Sequence, residues 1–121
     1  MTKVLLIEDD EILIRMYRTK LERENFEVDI AQDGEEDLTK IREFKPDIVL
    51  LDIVLPKLNG VEILKRMKAT PELKEIPVLI LTNVLIGANV QECLESGALG
   101  YIIKSDSTPN HLIQKVRATL K

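Results

Sequence analysis

Between Ile48 and Leu55 the chain reads Ile-Val-Leu-Leu-Asp-Ile-Val-Leu, with a single acid, Asp52, among apolar residues. A stretch this apolar needs cover on both faces, which is the situation of a central strand in a parallel sheet. A carboxylate at the end of such a strand loses much of its hydration, and that is costly without a partner. The rest of the chain must therefore supply something that repays Asp52.

The chain has 121 residues and is expected to form one domain over positions 1–121. A domain of that size buries roughly two-thirds of its unfolded surface. Its 45% hydrophobic and 31% charged content suits a globular protein, and its net charge of −4 argues against a general nucleic-acid surface. Phosphate backbones need a clustered positive field. Cys93 is the only cysteine, so neither an internal disulfide nor a paired-cysteine metal or redox motif can form. Met1-Thr2-Lys3 leads straight into a strand-like segment without a signal peptide. No apolar run approaches the ~20 residues of a membrane helix. The expectation is a cytoplasmic protein without membrane contact.

Short aliphatic runs alternate with longer segments of helical period. Val4–Ile7, Val28–Ala31, Ile48–Leu51, Val78–Leu81 and Tyr101–Ile103 are predicted strands. Glu11–Asn25, Gly34–Phe44, Gly60–Ala69, Ala88–Ser96 and Thr108–Leu120 are predicted helices. In the first helix Leu13, Tyr17 and Leu21 recur one turn apart and predict a stripe facing the sheet. Thr108 before Pro109 reads as an N-cap followed by a first-turn proline, and Gly97 as a left-handed C-cap. Asn59-Gly60 and Pro71 mark turns. Strand–helix units with short connections imply an α/β fold, a parallel sheet with right-handed crossovers and helices on both faces. Such sheets place ligands beyond the carboxyl ends of their strands.

Those ends carry the chemistry. The first predicted strand runs into Glu8-Asp9-Asp10, the third into Asp52, the fourth into Thr82 and the fifth into Lys104. Two like charges about 4 Å apart repel by ~4 kcal/mol at an effective dielectric near 20. An oxygen-only acid cluster of this kind calls for a divalent cation, Mg²⁺ or Mn²⁺ rather than zinc. Taken singly, each residue has an ordinary reading. Asp9 or Asp10 can cap the first helix, Thr82 can be a plain strand residue, and Lys104 can be a solvated charge. The conjunction at one sheet edge carries the reading.

This pattern resembles the response-regulator receiver domain of two-component signalling, with the chemotaxis regulators as its simplest form. The resemblance runs from Lys3 to Lys121 and rests on the order and spacing of Glu8-Asp9, Asp52, Thr82 and Lys104. It implies a three-layer, doubly wound (βα)5 fold with a parallel five-stranded sheet in the flavodoxin-like order 2-1-3-4-5. It further implies a phosphorelay protein rather than an enzyme. Asp52 would accept a phosphoryl group from a histidine kinase or phosphotransfer protein. Asp9, Asp52 and the backbone carbonyl of Val54 would hold Mg²⁺, with Glu8 acting partly through water. Lys104 would pair with the phosphoryl oxygens, Thr82 would donate its hydroxyl to one of them, and Tyr101 would stand at the aromatic switch position. The resemblance also implies a downstream protein target or output domain, and a homodimer face on the fourth helix, fifth strand and fifth helix. An exposed Ile12 or Ile14 would dock the kinase.

The sequence departs from the family pattern in places. Ser105 replaces the usual proline after Lys104, Asp106 replaces an aromatic, and Asn83 is bulkier than the usual small residue. Val54 and Val84 are apolar where some relatives orient water, so slow loss of the phosphoryl group is expected. Faster decay in a Val54→Asn variant than in the parent would bear that out. The apolar Val84-Leu85-Ile86 loop is read as either self-packed or a partner surface. His111 is expected at the surface. No basic helix-turn-helix or catalytic segment follows Lys121, so the expectation is a stand-alone receiver or one cut from a longer protein. Three alternatives are weaker. A phosphorylation-independent scaffold receiver draws support from Ser105 and Asn83. An aspartate-nucleophile hydrolase wants a second acid two residues on, where Val54 stands. A flavin-binding relative needs a phosphate-cradling loop where Glu8-Asp9-Asp10 repels anions.

Overall fold

The computed structural model describes residues 1–32, 34–53, 60–82, 88–104 and 108–120, without the side chains of 34–37, 88 and 89. Strands and helices alternate along the chain: β1 (Thr2–Ile7), α1 (Glu11–Arg23), β2 (Phe26–Ala31), α2 (Gly34–Phe44), β3 (Ile48–Asp52), α3 (Gly60–Ala69), β4 (Val78–Thr82), α4 (Ala88–Glu95), β5 (Gly100–Ile103) and α5 (Pro109–Leu120). The five strands form one sheet in the order β2-β1-β3-β4-β5, with every pairing parallel. This is the doubly wound, flavodoxin-like arrangement expected from the alternation.

Strand alternation explains how one sheet feeds two cores. Leu5, Ile7, Val49, Leu51, Val78 and Ile80 turn to one face, where Ile41 of α2, Ile63 and Met67 of α3 and Cys93 of α4 cover them. Val4, Leu6, Ile48, Leu50, Leu79 and Leu81 turn to the other, under Tyr17 and Leu21 of α1 and Leu112 and Val116 of α5. Every residue of β3 and β4 is buried. Each fully buried aliphatic side chain contributes about 1.5–3 kcal/mol, so the unbroken apolar runs hold the middle of the sheet.

Helix ends follow local chemistry. The Asp10 carboxylate accepts the backbone N–H groups of Ile12 at 2.9 Å and Leu13 at 3.2 Å, so Asp10, rather than Asp9, caps α1. That leaves Asp9 available to the sheet edge. The helix stops at Arg23, short of the expected Asn25, because Asn25 adopts a left-handed conformation at φ 69°. Asparagine tolerates that region better than most residues. Helix α4 ends at Glu95, one residue before the expected Ser96, and Gly97 follows with φ 112°. Thr108 accepts the N–H of His111 at 3.2 Å and caps α5, with Pro109 first in the helix.

The phase of α1 differs from the sequence expectation. Its buried residues are Ile14, Tyr17 and Leu21, while Leu13 is only half-buried at the margin. An i, i+3, i+7 stripe wins over i, i+4, i+8 because it seats Ile14 on the sheet. Ile14 is therefore a core residue and not a docking one. Ile12 is 79% exposed.

Candidate functional site

Parallel register delivers four strand ends to one edge. Ile7 lies opposite Leu51, Asp52 opposite Leu81, and Thr82 opposite Ile103. Asp52 closes β3, Thr82 closes β4, and Glu8-Asp9 and Lys104 come directly after β1 and β5. The ladder continues one step past β5, where the Lys104 N–H donates to the Thr82 carbonyl at 2.7 Å. Glu8 is held similarly, its N–H donating to Ala31 at 3.1 Å. The Glu8 carboxylate accepts the Asp10 N–H at 3.1 Å, so the residue that caps α1 also fixes the acid before it.

The Lys104 ammonium sits between two acids, 2.7 Å from Glu8 Oε2 and 3.0 Å from Asp52 Oδ2. The Glu8 contact is an ion pair rather than an aligned hydrogen bond, since Oε2 has no hydrogen-bonding partner. Glu8 is fully buried, Asp52 is 5% exposed, and the Lys104 side chain is 7% exposed. Here is the partner that the sequence required for Asp52. One carboxylate oxygen each from Glu8, Asp9 and Asp52 lie within 4.8 Å of one another, with Asp9 on the exposed side.

Burial dominates the protonation of these groups. It pushes the Glu8 carboxyl up to about 7, against the Lys104 contact and with the Asp52 charge. For Lys104, burial pulls the ammonium down, but its contacts with Glu8 and Asp52 outweigh that and raise it overall. Burial also raises the Tyr17 phenol, whose electrostatic neighbours are Lys104 and Glu8. Among the described residues its buried hydroxyl has no hydrogen-bonding partner. The Cys93 thiol is pushed up to about 11 by burial and is an inert core group.

Three carboxylates against one ammonium leave a formal charge of −2 at the edge. Three carboxylates drawn together with no nitrogen or sulfur donor among them are an oxygen-only set of the kind that suits a hard divalent cation.

Glu8, Asp9, Asp52, Thr82 and Lys104 thus come to one edge, as read from the sequence. Thr82 is buried there at 6% exposure. Tyr101 is half-buried on β5 and packs against the core on the α3–α4 face. His111 is exposed. Val54, Asn83, Val84, Leu85, Ile86, Ser105 and Asp106 lie outside the described residues. Two features were not legible beforehand. Glu8 contacts Lys104 directly, beyond the water-mediated metal role read for it. Gly60 does more than turn the chain: its N–H donates to Ile53 at 2.7 Å, and a Cβ there would run into the Asp52 carbonyl oxygen. The Asn59-Gly60 turn signal was its only trace in the sequence.

Residues 4–117 match the family model described as response regulator receiver domain. The phosphate regulon transcriptional regulatory protein PhoB of Rhizobium meliloti is 35% identical over 98% of this chain and 52% of its own length. The DNA-binding response regulator MtrA of Mycolicibacterium paratuberculosis is 36% identical over 98% of this chain and 51% of its own. The chain therefore spans about half the length of these curated relatives. Among solved structures, the chemotaxis response regulator CheY4 of Vibrio cholerae superposes with a TM-score of 0.92 at 29% identity, covering 99% of both chains. A CheY-like receiver domain protein from Methanospirillum hungatei does so with 0.89 at 30% identity, covering 99% of this chain and 94% of its own.

Proposed function

The chain belongs to the response regulator receiver domain family, and from that premise we propose that Asp52 is its phosphoacceptor. The observation that carries the proposal is the Lys104 ammonium held between two buried carboxylates, 2.7 Å from Glu8 and 3.0 Å from Asp52. A lysine so placed offers its charge to the Asp52 carboxylate at 3.0 Å, and a carboxylate is a competent nucleophile toward phosphorus.

Glu8, Asp9 and Asp52 are the residues that would hold Mg²⁺, or Mn²⁺ in its place, together with the Val54 backbone carbonyl. When bound, the cation supplies charge neutralisation for the oxygens of the transferring phosphoryl group. The chain's own residues do the rest. An Asp52 oxygen attacks phosphorus, the phosphorus–nitrogen bond of the donor phosphohistidine breaks, and the imidazole leaves with the electron pair. Lys104 exchanges its contact with Asp52 for a phosphoryl oxygen, where a compact point charge with three donors suits the task. Thr82 donates its hydroxyl to another phosphoryl oxygen. Its approach and the packing of Tyr101 are the means by which the β4 edge passes the change to α4.

In this reading residues 1–121 form one receiver domain, a signalling module rather than an enzyme acting on external substrates. Its partners are a histidine kinase or phosphotransfer protein upstream, and a protein target or output domain downstream. The domain itself does not bind nucleic acid. Any homodimer would use the α4, β5 and α5 face. Among the described residues no helix is long and apolar enough to cross a membrane, which supports a cytoplasmic site of action.

The test is intact-mass spectrometry after treatment with acetyl phosphate and Mg²⁺. The parent is expected to gain about 80 Da, the mass of one phosphoryl group, and the Asp52→Asn variant none. A parent that stays unlabelled, or a variant that labels equally, sinks the assignment.

A further inference from the structure

Tyr17 of α1 is fully buried, yet among the described residues its hydroxyl has no hydrogen-bonding partner. A buried donor of that kind costs free energy unless some state of the protein uses it. Its surroundings are those of the site. Leu6 packs with Tyr17 in the core under α1 and α5, and strand alternation carries Glu8, two residues on, to the same face. Leu50 and Ile102 belong to that core as well, so Asp52 and Lys104 turn to it by the same count. A long side chain on a helix leans toward the helix's own start, and α1 starts directly after Glu8-Asp9-Asp10. The electrostatic neighbours of the phenol are accordingly Lys104 and Glu8. Glu8 Oε2 is the other buried oxygen without a hydrogen-bonding partner among the described residues, and the Lys104 ammonium holds it at 2.7 Å.

We propose that Tyr17 is a positioning residue for the phosphorylated state: its hydroxyl donates to Glu8 Oε2 when Lys104 turns from Glu8 to the phosphoryl group. The inference rests on the receiver reading and adds a residue to it. In the resting protein one ammonium serves both Glu8 and Asp52. A phosphoryl group on Asp52 draws that ammonium outward, toward oxygens beyond the sheet edge. Glu8, fully buried, then loses the cation that compensates it. A buried carboxylate stripped of its partner is strongly unfavourable. The phenol relieves that cost from the same face, by rotating its O–H rather than by moving a strand. Burial keeps the proton on the phenol, so it acts as a donor and no proton is transferred. A phenylalanine at this position fills nearly the same volume but cannot replace the ammonium at Glu8.

The experiment is a double-mutant cycle on the full chain, read by urea unfolding with chelator present: parent, Tyr17→Phe, Lys104→Met and the two together. Lys104→Met takes the ammonium away permanently, so the hydroxyl is expected to be engaged in that background. Tyr17→Phe should be neutral or slightly stabilising in the parent. In Lys104→Met it should lower the folding equilibrium constant about tenfold, the worth of one well-made hydrogen bond to a buried carboxyl group. A second measurement holds even if Lys104→Met does not fold. With Mg²⁺ and beryllofluoride as the phosphoryl mimic, Tyr17→Phe is expected to bind the mimic about tenfold more weakly than the parent. The chain has two tyrosines, so ¹³Cζ labelling gives two signals, and the one missing from Tyr17→Phe belongs to Tyr17. That signal should move downfield when beryllofluoride is added to the parent. An equal effect of Tyr17→Phe in both backgrounds, equal affinity for beryllofluoride, or an unmoved Tyr17 signal would each overturn the proposal. Acetyl-phosphate labelling of the parent is measured alongside. Labelling with a silent Tyr17 removes this inference alone, whereas absent labelling removes the receiver assignment and this inference with it.

Discussion

Replacing Lys104 with methionine keeps most of the side-chain volume and removes the charge that holds Glu8 and Asp52 together. The Lys104 side chain is 7% exposed, and Glu8 and Asp52 are 0% and 5% exposed, so solvent cannot step in cheaply. Removing one partner of a buried ion pair costs about 3–5 kcal/mol. The loss is expected to depend on pH in a specific direction. In the parent, burial sets Glu8 to about 7, and the Lys104 contact works to keep it from going higher. Without Lys104 the carboxyl rises further and takes up a proton that the parent has already released. Above pH 7 the variant's native state thus holds more protons than the parent's, and its deficit grows by ~1.4 kcal/mol per pH unit until its own Glu8 titrates. Below that the deficit is smaller, because a neutral Glu8 leaves no uncompensated charge buried at that position. The parent shows the complementary trend. Its folded Glu8 lies above the ordinary 4.5, so this group's contribution falls as pH rises from 4.5 to about 7. Urea unfolding of both proteins with chelator present, at a series of pH values from about 5 to 8.5, reads the difference directly. A deficit below about 1 kcal/mol, or one that does not change with pH, would mean that Lys104 is a surface charge and that the buried ion pair is not the organising feature of the site.

Two other substitutions probe the surroundings of that pair. Gly60→Ala brings a methyl group into the Asp52 carbonyl, and strand and helix must shift to admit it; a loss of about 1–3 kcal/mol in urea unfolding is expected, with slower acetyl-phosphate labelling. Tyr17→Phe deletes a buried hydroxyl that has no hydrogen-bonding partner among the described residues. It is expected to leave the urea midpoint unchanged or to raise stability by up to ~1 kcal/mol, whereas a loss would reveal a partner for the phenol.

The apolar run around Asp52 needed no tertiary information to be placed at the centre of a parallel sheet. Residues with that composition cannot face water on either side, and the fully buried β3 follows from it. The same holds for the edge. Once strands and helices alternate with short connections, every strand must point the same way, so Glu8-Asp9, Asp52, Thr82 and Lys104 share one end whatever the order of strands. The capping of α5 by Thr108 was equally local, because the cap and the N–H it accepts lie within one turn.

What the fold decided were matters of phase and distance. A helix of mixed periodicity can present Leu13 or Ile14, and only contact with the sheet selects Ile14. That choice leaves Ile12 exposed on the outer face of α1. The direct Glu8–Lys104 contact joins the two outer limits of the site across β1, β3, β4 and β5, and its 2.7 Å separation is set by sheet order rather than by local spacing. Residue type and local period dictate which groups reach the edge. How closely those groups approach, and therefore which of them keeps its proton, depends on packing between distant segments that no local pattern encodes.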